Sequence, residues 1–292
     1  MGIRSQGDPA QSYNDVFGET VNPVAAASPS PVPSGDGMAA SGGTTTTYTD
    51  PTGSYKSHTF NSSGTFTVTT SPPGPSYDAQ FLVQGGGGGC KDEIAGNRHA
   101  GSGAGGLIYG PAGPLIQDDF AITIGAGGNE ANGSNSVFGG VGPAGQTALG
   151  GGAGGAGDSD PNCRGANGGC GGGGWYTGPG VKGDATQPTN SPGLPGITSI
   201  GYDGAPGAGS PEYGGGGGGT GSVAPGQGTN NGTGTSNVYR YGPTNAQTYG
   251  AGGEASDFPS TNRNANGTAN KGDGASGYAT GGSGIVVIRY KL

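Results

Sequence analysis

The chain is short of charged residues, apolar residues and cysteine. Charged side chains make up 10% of its 292 residues and hydrophobic ones 29%, so we expect neither a large conventional core nor a charge-rich disordered protein. Its 11 basic residues form no run and the formal net charge is −8, which argues against nucleic acid as a partner. No stretch approaches the roughly 20 apolar residues of a membrane span, so we expect no membrane insertion.

Cysteine and histidine are also scarce, which limits disulfides and metals. The three cysteines, Cys90, Cys163 and Cys170, cannot all pair within one chain, so a disulfide framework is not indicated. A bond between Cys163 and Cys170 stays open beside the alternative of small buried thiols. Because His58 and His99 are the only histidines, we predict no metal site and no cofactor.

Glycine is the residue that the chain has in abundance. The 74 glycines and 22 prolines account for about a third of the sequence. The glycines crowd between residues 85 and 284, in consecutive runs such as 85–89, and not at every third position as collagen requires. We therefore predict a glycine-rich insert, residues 85–284, between flanks of more ordinary composition.

The flanks of the insert carry strand patterns. "HTFNSSGTFTVTT" contains a turn at residues 61–64, followed by Phe66 and Val68 on one face of an alternating strand. "YDAQFLVQ", "FAITIGAGG" and the terminal "GIVVIRYKL" are further candidate strands. No segment shows useful helical periodicity, so we predict an all-β fold with a small β-sandwich base. If the last strand joins the sheet of the first ones, both ends of the insert are pinned.

The glycine runs indicate how the insert could fold without apolar side chains. Glycine has no Cβ, so glycine segments can approach one another closely in the extended helix of three residues per turn. Side by side, such polyglycine II helices can pair their amides with several neighbours. Ordering a residue costs about 1–2 kcal/mol and a hydrogen bond contributes about 1 kcal/mol net, so nearly every amide must be paired.

The N-terminal part of the chain differs from both the base and the insert. Residues 1–21 carry scattered apolar side chains, Tyr13, Val16, Phe17 and Val21, and residues 22–47 are rich in Pro, Ala, Ser and Thr. We interpret these as an extended anchoring arm and an extended linker, followed by a β-based glycine-rich domain over residues 48–292.

Motifs for catalysis are weak in this sequence, whereas aromatic residues stand out. "GSGAGG" matches G-x-G-x-x-G, but no helix follows and chance matches are common at this glycine content, so we predict a protein that is not an enzyme. Aromatic rings at loop tips favour recognition. The candidate receptor-binding residues are Trp175, Tyr176, Tyr239, Arg240 and Tyr241. The alternative role for these rings is to cap the ends of the glycine lattice or form a subunit contact.

The order of these segments resembles the glycine-rich domain of tailed-phage virion proteins. The resemblance covers about residues 58–292, and "AITIGAGG" followed by "GSGIVVIRY" is its most specific part. More distantly, the chain is similar to glycine-rich adhesins at the tips of phage long tail fibres, and to the glycine-rich domain of anaplastic lymphoma kinase-type receptors. Both use packed polyglycine II helices.

The resemblance implies a bacteriophage virion structural protein on the virion surface, more often tail than capsid. The expected role is a tail fibre or receptor-binding adhesin, a homotrimer that displays variable loops to a bacterial surface glycan or outer-membrane protein for host attachment. The expected partners of the N-terminal arm are other virion proteins. The alternative is a capsid decoration or head-fibre protein anchored by that arm.

Overall fold

The structure is a computed structural model and consists of short strands and extended segments. It describes residues 37–71, 79–91, 98–113, 115–140, 145–157, 161–175, 181–188, 196–209, 212–227, 230–256 and 263–292. Within these ranges there is no α-helix, and a single 3-10 turn lies at Pro243–Asn245. No helix in the described part of the chain is long and apolar enough to cross a membrane. The all-β prediction is confirmed.

Two antiparallel sheets form the base of the domain. The first sheet has six strands, in the order β10 (Thr198–Ile200), β6 (Leu107–Pro111), β5 (Gln80–Gln84), β15 (Ile285–Lys291), β3 (Gly53–Phe60) and β2 (Thr44–Asp50). The second sheet has five strands, in the order β1 (Ala39–Ser41), β4 (Gly64–Thr70), β7 (Asp119–Thr123), β8 (Ser136–Phe138) and β9 (Gln146–Ala148). Two short hairpins complete the strands: β11 (Ala208–Gly209) with β12 (Glu212–Tyr213), and β13 (Thr235–Asn237) with β14 (Gln247–Tyr249).

The two sheets share one apolar core, as a β-sandwich requires. Phe66 and Val68 of β4 are buried on one face, as their alternation predicts. Phe66 packs edge-on against Phe60 of the other sheet, with ring centroids 6.4 Å apart. Phe138 is in ring contact with Phe81 across the sheets at 6.0 Å. Large aromatic rings bury much apolar area per residue, so a few of them are enough to form the core of a small sandwich in a chain of low apolar content.

The last strand closes the base. β15 lies between β5 and β3 and pairs antiparallel with both. Its even positions Val286 and Ile288 face the core between the sheets, whereas Ile285 and Val287 face a second cluster under the β13–β14 hairpin. Because β5 leads into the glycine-rich insert and β15 follows it, the expectation that the sheet pins both ends of the insert is confirmed.

The compact unit of the domain begins at Met38, within the range that the sequence analysis assigns to the linker. Met38 is buried, and β1 and β2 both lie before or across residue 47. The threonine run of β2 pairs along its whole length with β3. This part of the predicted linker is therefore a strand of the six-stranded sheet. The linker's remaining residues, 22–36, and the arm, residues 1–21, lie outside the described residues.

The glycine run after β5 forms hydrogen bonds to three different segments in rotation. The amides of residues 85–90 donate in turn to the carbonyl oxygens of Gly106, Ser134, Gly282, Gly103, Ala131 and Ala279, over 2.8–3.3 Å. The first and fourth partners belong to one segment, the second and fifth to another, and the third and sixth to a third. A repeat of three partners is the signature of a helix with three residues per turn. Polyglycine II-type packing is thereby confirmed.

Residues 101–106 occupy the centre of this glycine lattice. Their six amides donate to residues 149–152, 215–218 and 272–275, and five of their six carbonyl oxygens accept from the amides of residues 85–88, 170–173 and 253. The sixth carbonyl, of Gly105, accepts from the side-chain amide of Gln84 at 2.8 Å. Six segments therefore surround one central segment, and its backbone is fully paired without contact to solvent.

Close approach explains why the lattice consists of glycine. A Cβ on Gly103 would lie well inside van der Waals contact of the carbonyl oxygen of Cys170, and a Cβ on Gly217 would collide with that of Ser102. The other side chains at lattice positions are small, such as Ala104 and Ser102. A lattice position can carry a small side chain only where its Cβ points into the space between neighbouring segments and not at their backbone.

A glycine-to-alanine pair tests this packing. We expect Gly103→Ala to lower the free energy of unfolding by about 3 kcal/mol, because its methyl group meets rigid backbone on a buried segment. Gly226→Ala is the matched control, since the nearest atom to its Cβ would be the side-chain nitrogen of Asn230 at 3.8 Å. Urea denaturation measures both. Equal stability of the two variants would contradict close packing at Gly103.

Candidate functional site

The lattice has a base end at the sheets and a distal end away from them. Gly85 directly follows β5, whereas Cys90, at the other end of that segment, pairs with Ala279. Ser256 donates to the carbonyl oxygen of His99, and Trp175 to that of Cys163. These residues lie at the ends of described lattice segments, on the side away from the sheets. The described part of the distal end is therefore formed by segments that are remote in sequence and paired through the same lattice.

Among the residues that the structure describes, Tyr278 is the most exposed aromatic side chain at the distal end. Its relative exposure is 39%, and its ring stacks on that of His99 with centroids 5.6 Å apart and planes inclined by 29°. Its hydroxyl donates a hydrogen bond of 2.7 Å to Oε1 of Glu130. One ring face is thus covered by His99, and a carboxylate lies beside the phenol.

The backbone around Tyr278 holds it in place. The Tyr278 amide donates to Oδ1 of Asn264 at 2.9 Å, and the neighbouring Arg263 forms an ion pair of 3.3 Å with Glu254. Glu130 adopts a φ of 54°, a left-handed conformation that is uncommon for a residue other than glycine. An aromatic ring beside the Glu130 carboxylate is an arrangement suited to ligands that combine apolar faces with hydroxyl groups.

The sequence comparison agrees with this architecture. The profile of the glycine-rich domain family matches residues 59–291, from the end of β3 to the end of β15 and about four fifths of the chain. The chain belongs to the glycine-rich domain family. No curated protein matches the chain. The matched range contains strands β4 to β15 and the lattice, whereas β1, β2 and most of β3 precede it.

Trp175 lies in the glycine-rich domain as a cap and not as an exposed ring. It is 1% exposed, its amide donates to Cys163 at 2.9 Å, and a Cβ on Gly214 would lie 2.9 Å from its ring. The expectation that this ring is exposed at a loop tip is corrected, because lattice segments remote in sequence cover it. The alternative role, a cap on the lattice end, fits this position. Tyr176 lies outside the described residues.

Tyr239 is also buried, and it lies on the sheet face and not at the distal end. It is 9% exposed and packs with Leu82 and Val287 under the β13–β14 hairpin. Arg240 and Tyr241 beside it are half-buried, with the guanidinium 4.7 Å from the Tyr241 ring centroid. The structure therefore separates Trp175 from Tyr239–Tyr241, and only Arg240 and Tyr241 of the described candidates retain partial exposure.

Arg289 explains why Tyr239 is buried. The guanidinium lies over the rings of Tyr55 and Tyr239, at 4.5 and 4.3 Å from their centroids. Its Nε donates to Gln80 at 2.6 Å and its Nη1 to the Tyr48 hydroxyl at 2.8 Å. The Tyr48 hydroxyl donates in turn to the carbonyl oxygen of Tyr239 at 3.1 Å. This network fastens the hairpin to the sheet.

The cysteines occupy small buried positions in the glycine-rich domain. Cys170 is a free thiol, so it forms no bond with Cys163, and its Sγ lies 3.7 Å from the carbonyl oxygen of Gly105. Burial raises the pKa of Cys170 to about 12. The thiol is therefore unreactive at neutral pH, and the interpretation as a small buried side chain is confirmed for this residue.

The remaining chemical motifs lie inside the lattice. "GSGAGG" is the central segment, residues 101–106, whose amides all bond to backbone carbonyls, so they are not presented to a phosphate as a nucleotide-binding loop presents its own. Across the described ranges, no group of three His, Cys, Asp or Glu side chains could hold a metal ion.

An arginine substitution tests whether the Tyr239 cluster is structural. We expect Arg289→Lys to lower the free energy of unfolding by about 2 kcal/mol, because lysine loses the planar stacking and the paired donors of arginine. Arg240→Lys should lower it by less than Arg289→Lys does, because the Arg240 guanidinium lies over one ring, that of Tyr241, and not over two. Thermal or urea unfolding measures both. An Arg289→Lys protein as stable as the parent would show that the cluster does not hold the hairpin.

Proposed function

We propose that this protein is a non-enzymatic virion structural component of a bacteriophage, a tail fibre or receptor-binding adhesin. Its mechanism is rigid display: the lattice holds the distal turns in fixed positions toward a bacterial surface. The observation that carries the proposal is the full backbone pairing of residues 101–106 by six segments, because it makes a chain with few apolar residues stiff. Multiple copies on one particle would add avidity to a shallow polar contact.

The sequence resemblance to tailed-phage glycine-rich domains supports the same proposal. The expected ligand is a bacterial surface glycan or outer-membrane protein, and the partners of the N-terminal arm are other virion proteins. The anchoring residues Tyr13, Val16, Phe17 and Val21 lie outside the described residues. The alternative, a capsid decoration or head-fibre protein, is favoured by this same apolar arm, which could dock on a shell as well as on a tail.

Imaging of labelled virions distinguishes the two roles. A label on this chain found at the tail, in a few dozen copies or fewer, supports the adhesin. Hundreds of labels over the shell support the decoration protein. Absence of the chain from purified particles would reject both.

Tyr278 provides a test of the binding surface. We expect Tyr278→Ala to reduce binding of the purified protein to cells of the bacterial host about tenfold, since loss of an aromatic contact costs about 1.4 kcal/mol or more at a binding hot spot. Tyr202→Ala is the matched control, because Tyr202 has the same 39% exposure but follows β10 at the base end. Cell-binding titration measures both variants.

Two outcomes would contradict distal binding. Unchanged binding by Tyr278→Ala would remove this ring from the contact, and an equal loss by Tyr202→Ala would point to a general surface effect. Unfolding curves for both variants are recorded first, so that lost binding is not confused with lost structure.

A further inference from the structure

β2 is a long edge strand with an open outer side. It pairs with β3 over seven residues, from Thr44 to Asp50, without a register shift. In the ranges that the structure describes, β2 ends the six-stranded sheet and no strand lies beyond it. An open edge exposes unpaired amides and carbonyls, which is a template for another strand.

The other sheet edges of the base carry the usual protection. β10, β1 and β9 have three residues each, and β1 also has a register irregularity between Ala39 and Ala40. Short strands and bulges prevent edge pairing. β2 has neither of these features, and its sequence TTTTYTD contains no lysine or proline.

The one charged residue of β2 is turned back toward its own chain. Asp50 accepts hydrogen bonds from the amide and the hydroxyl of Thr52 at 2.7 and 2.5 Å. The Thr52 hydroxyl is the main reason that the pKa of Asp50 lies below its usual range. Nη1 of Arg289 lies 3.8 Å from the same carboxylate. The outer edge from Thr44 to Thr49 is therefore uncharged and rich in β-branched residues, which favours strand pairing.

We propose that two copies of this chain pair antiparallel through β2, about a two-fold axis at Thr47, to form one continuous twelve-stranded sheet. In this register Thr47 faces its own copy, Thr45 faces Thr49 and Thr46 faces Tyr48. Thr44 faces Asp50, so no like charges meet. Threonine pairs and β-branched–aromatic pairs across strands are stabilising, and a two-fold contact needs only one self-complementary surface.

The sheet's two edges favour this two-fold contact over the homotrimer that the resemblance implies. A closed ring of three would join β2 of one copy to a different edge of the next. Within the same sheet that edge is β10, which offers three residues, whereas self-pairing uses all seven residues of β2. The inference is independent of the proposed receptor binding.

Charge substitutions at Thr47 test the contact. Thr47 is exposed and neighbours Lys56 of β3 within the chain, so Thr47→Asp gains an opposite charge in its own sheet but meets a like charge across the two-fold axis. We expect the parent full-length chain to have the mass of a dimer by light scattering or sedimentation. Thr47→Asp should be a monomer that still unfolds in one cooperative transition, at a denaturant midpoint that does not depend on protein concentration. Thr65→Asp, at an exposed position of β4, should stay dimeric.

A mixing experiment separates lost pairing from lost folding. Thr47→Lys alone should also be a monomer, whereas an equimolar mixture with Thr47→Asp should regain the dimer mass through an attractive pair at the axis. Hydrogen exchange should show the outward-facing β2 amides protected in the dimer and exposed in either variant alone, whereas the β2 amides bonded to β3 stay protected in both. A monomeric or trimeric parent, dimeric Thr47→Asp, or failure of the mixture to associate would each overturn the proposal.

Discussion

The backbone hydrogen bond between extended glycine segments is the interaction on which this structure depends. Each such bond contributes only about 1 kcal/mol net, and ordering each residue costs as much or more. The lattice can therefore be stable only if nearly all of its backbone amides and carbonyls are paired at the same time with the segments around them. The central residues 101–106 illustrate this condition, since six segments satisfy all their donors and acceptors.

The sandwich makes this pairing possible by holding the ends of the segments. β5, β6, β7, β8, β9 and β15 each lead into or out of the lattice, so the sheets set the starting position of many segments at once. Fixing chain ends lowers the entropy that each segment loses on ordering. The stiffness then extends to the distal turns, where Tyr278 and Glu130 come together although they are remote in sequence.

The elements that local patterns specify could be predicted from the sequence. The turn between β3 and β4, the alternation of Phe66 and Val68, the closing strand β15 and the glycine lattice all follow from spacing and composition. β2 could not be predicted, because a run of threonine has the same composition in a linker and in a strand. The threonine run is a strand because it pairs with β3, and this pairing depends on the tertiary structure and not on the local sequence.

The surroundings of single aromatic rings were equally hard to predict. Trp175 follows a glycine run and so looks exposed, but Gly214 comes from a distant part of the chain to cover it. Tyr239 is buried by Arg289, which belongs to the last strand. Tyr278 and Trp175 have a similar local signal, since each follows glycine and other small residues. Only the three-dimensional arrangement shows that the Tyr278 ring is exposed and the Trp175 ring is buried.

Native-state hydrogen exchange of the amides of residues 101–106 is the most direct test of the central claim. If neighbouring segments satisfy these amides, they should exchange as slowly as the amides of β15, because both open only when the domain unfolds. Exchange at rates near those of an unstructured peptide, while β15 stays protected, would show that the glycine segments are not held by mutual pairing.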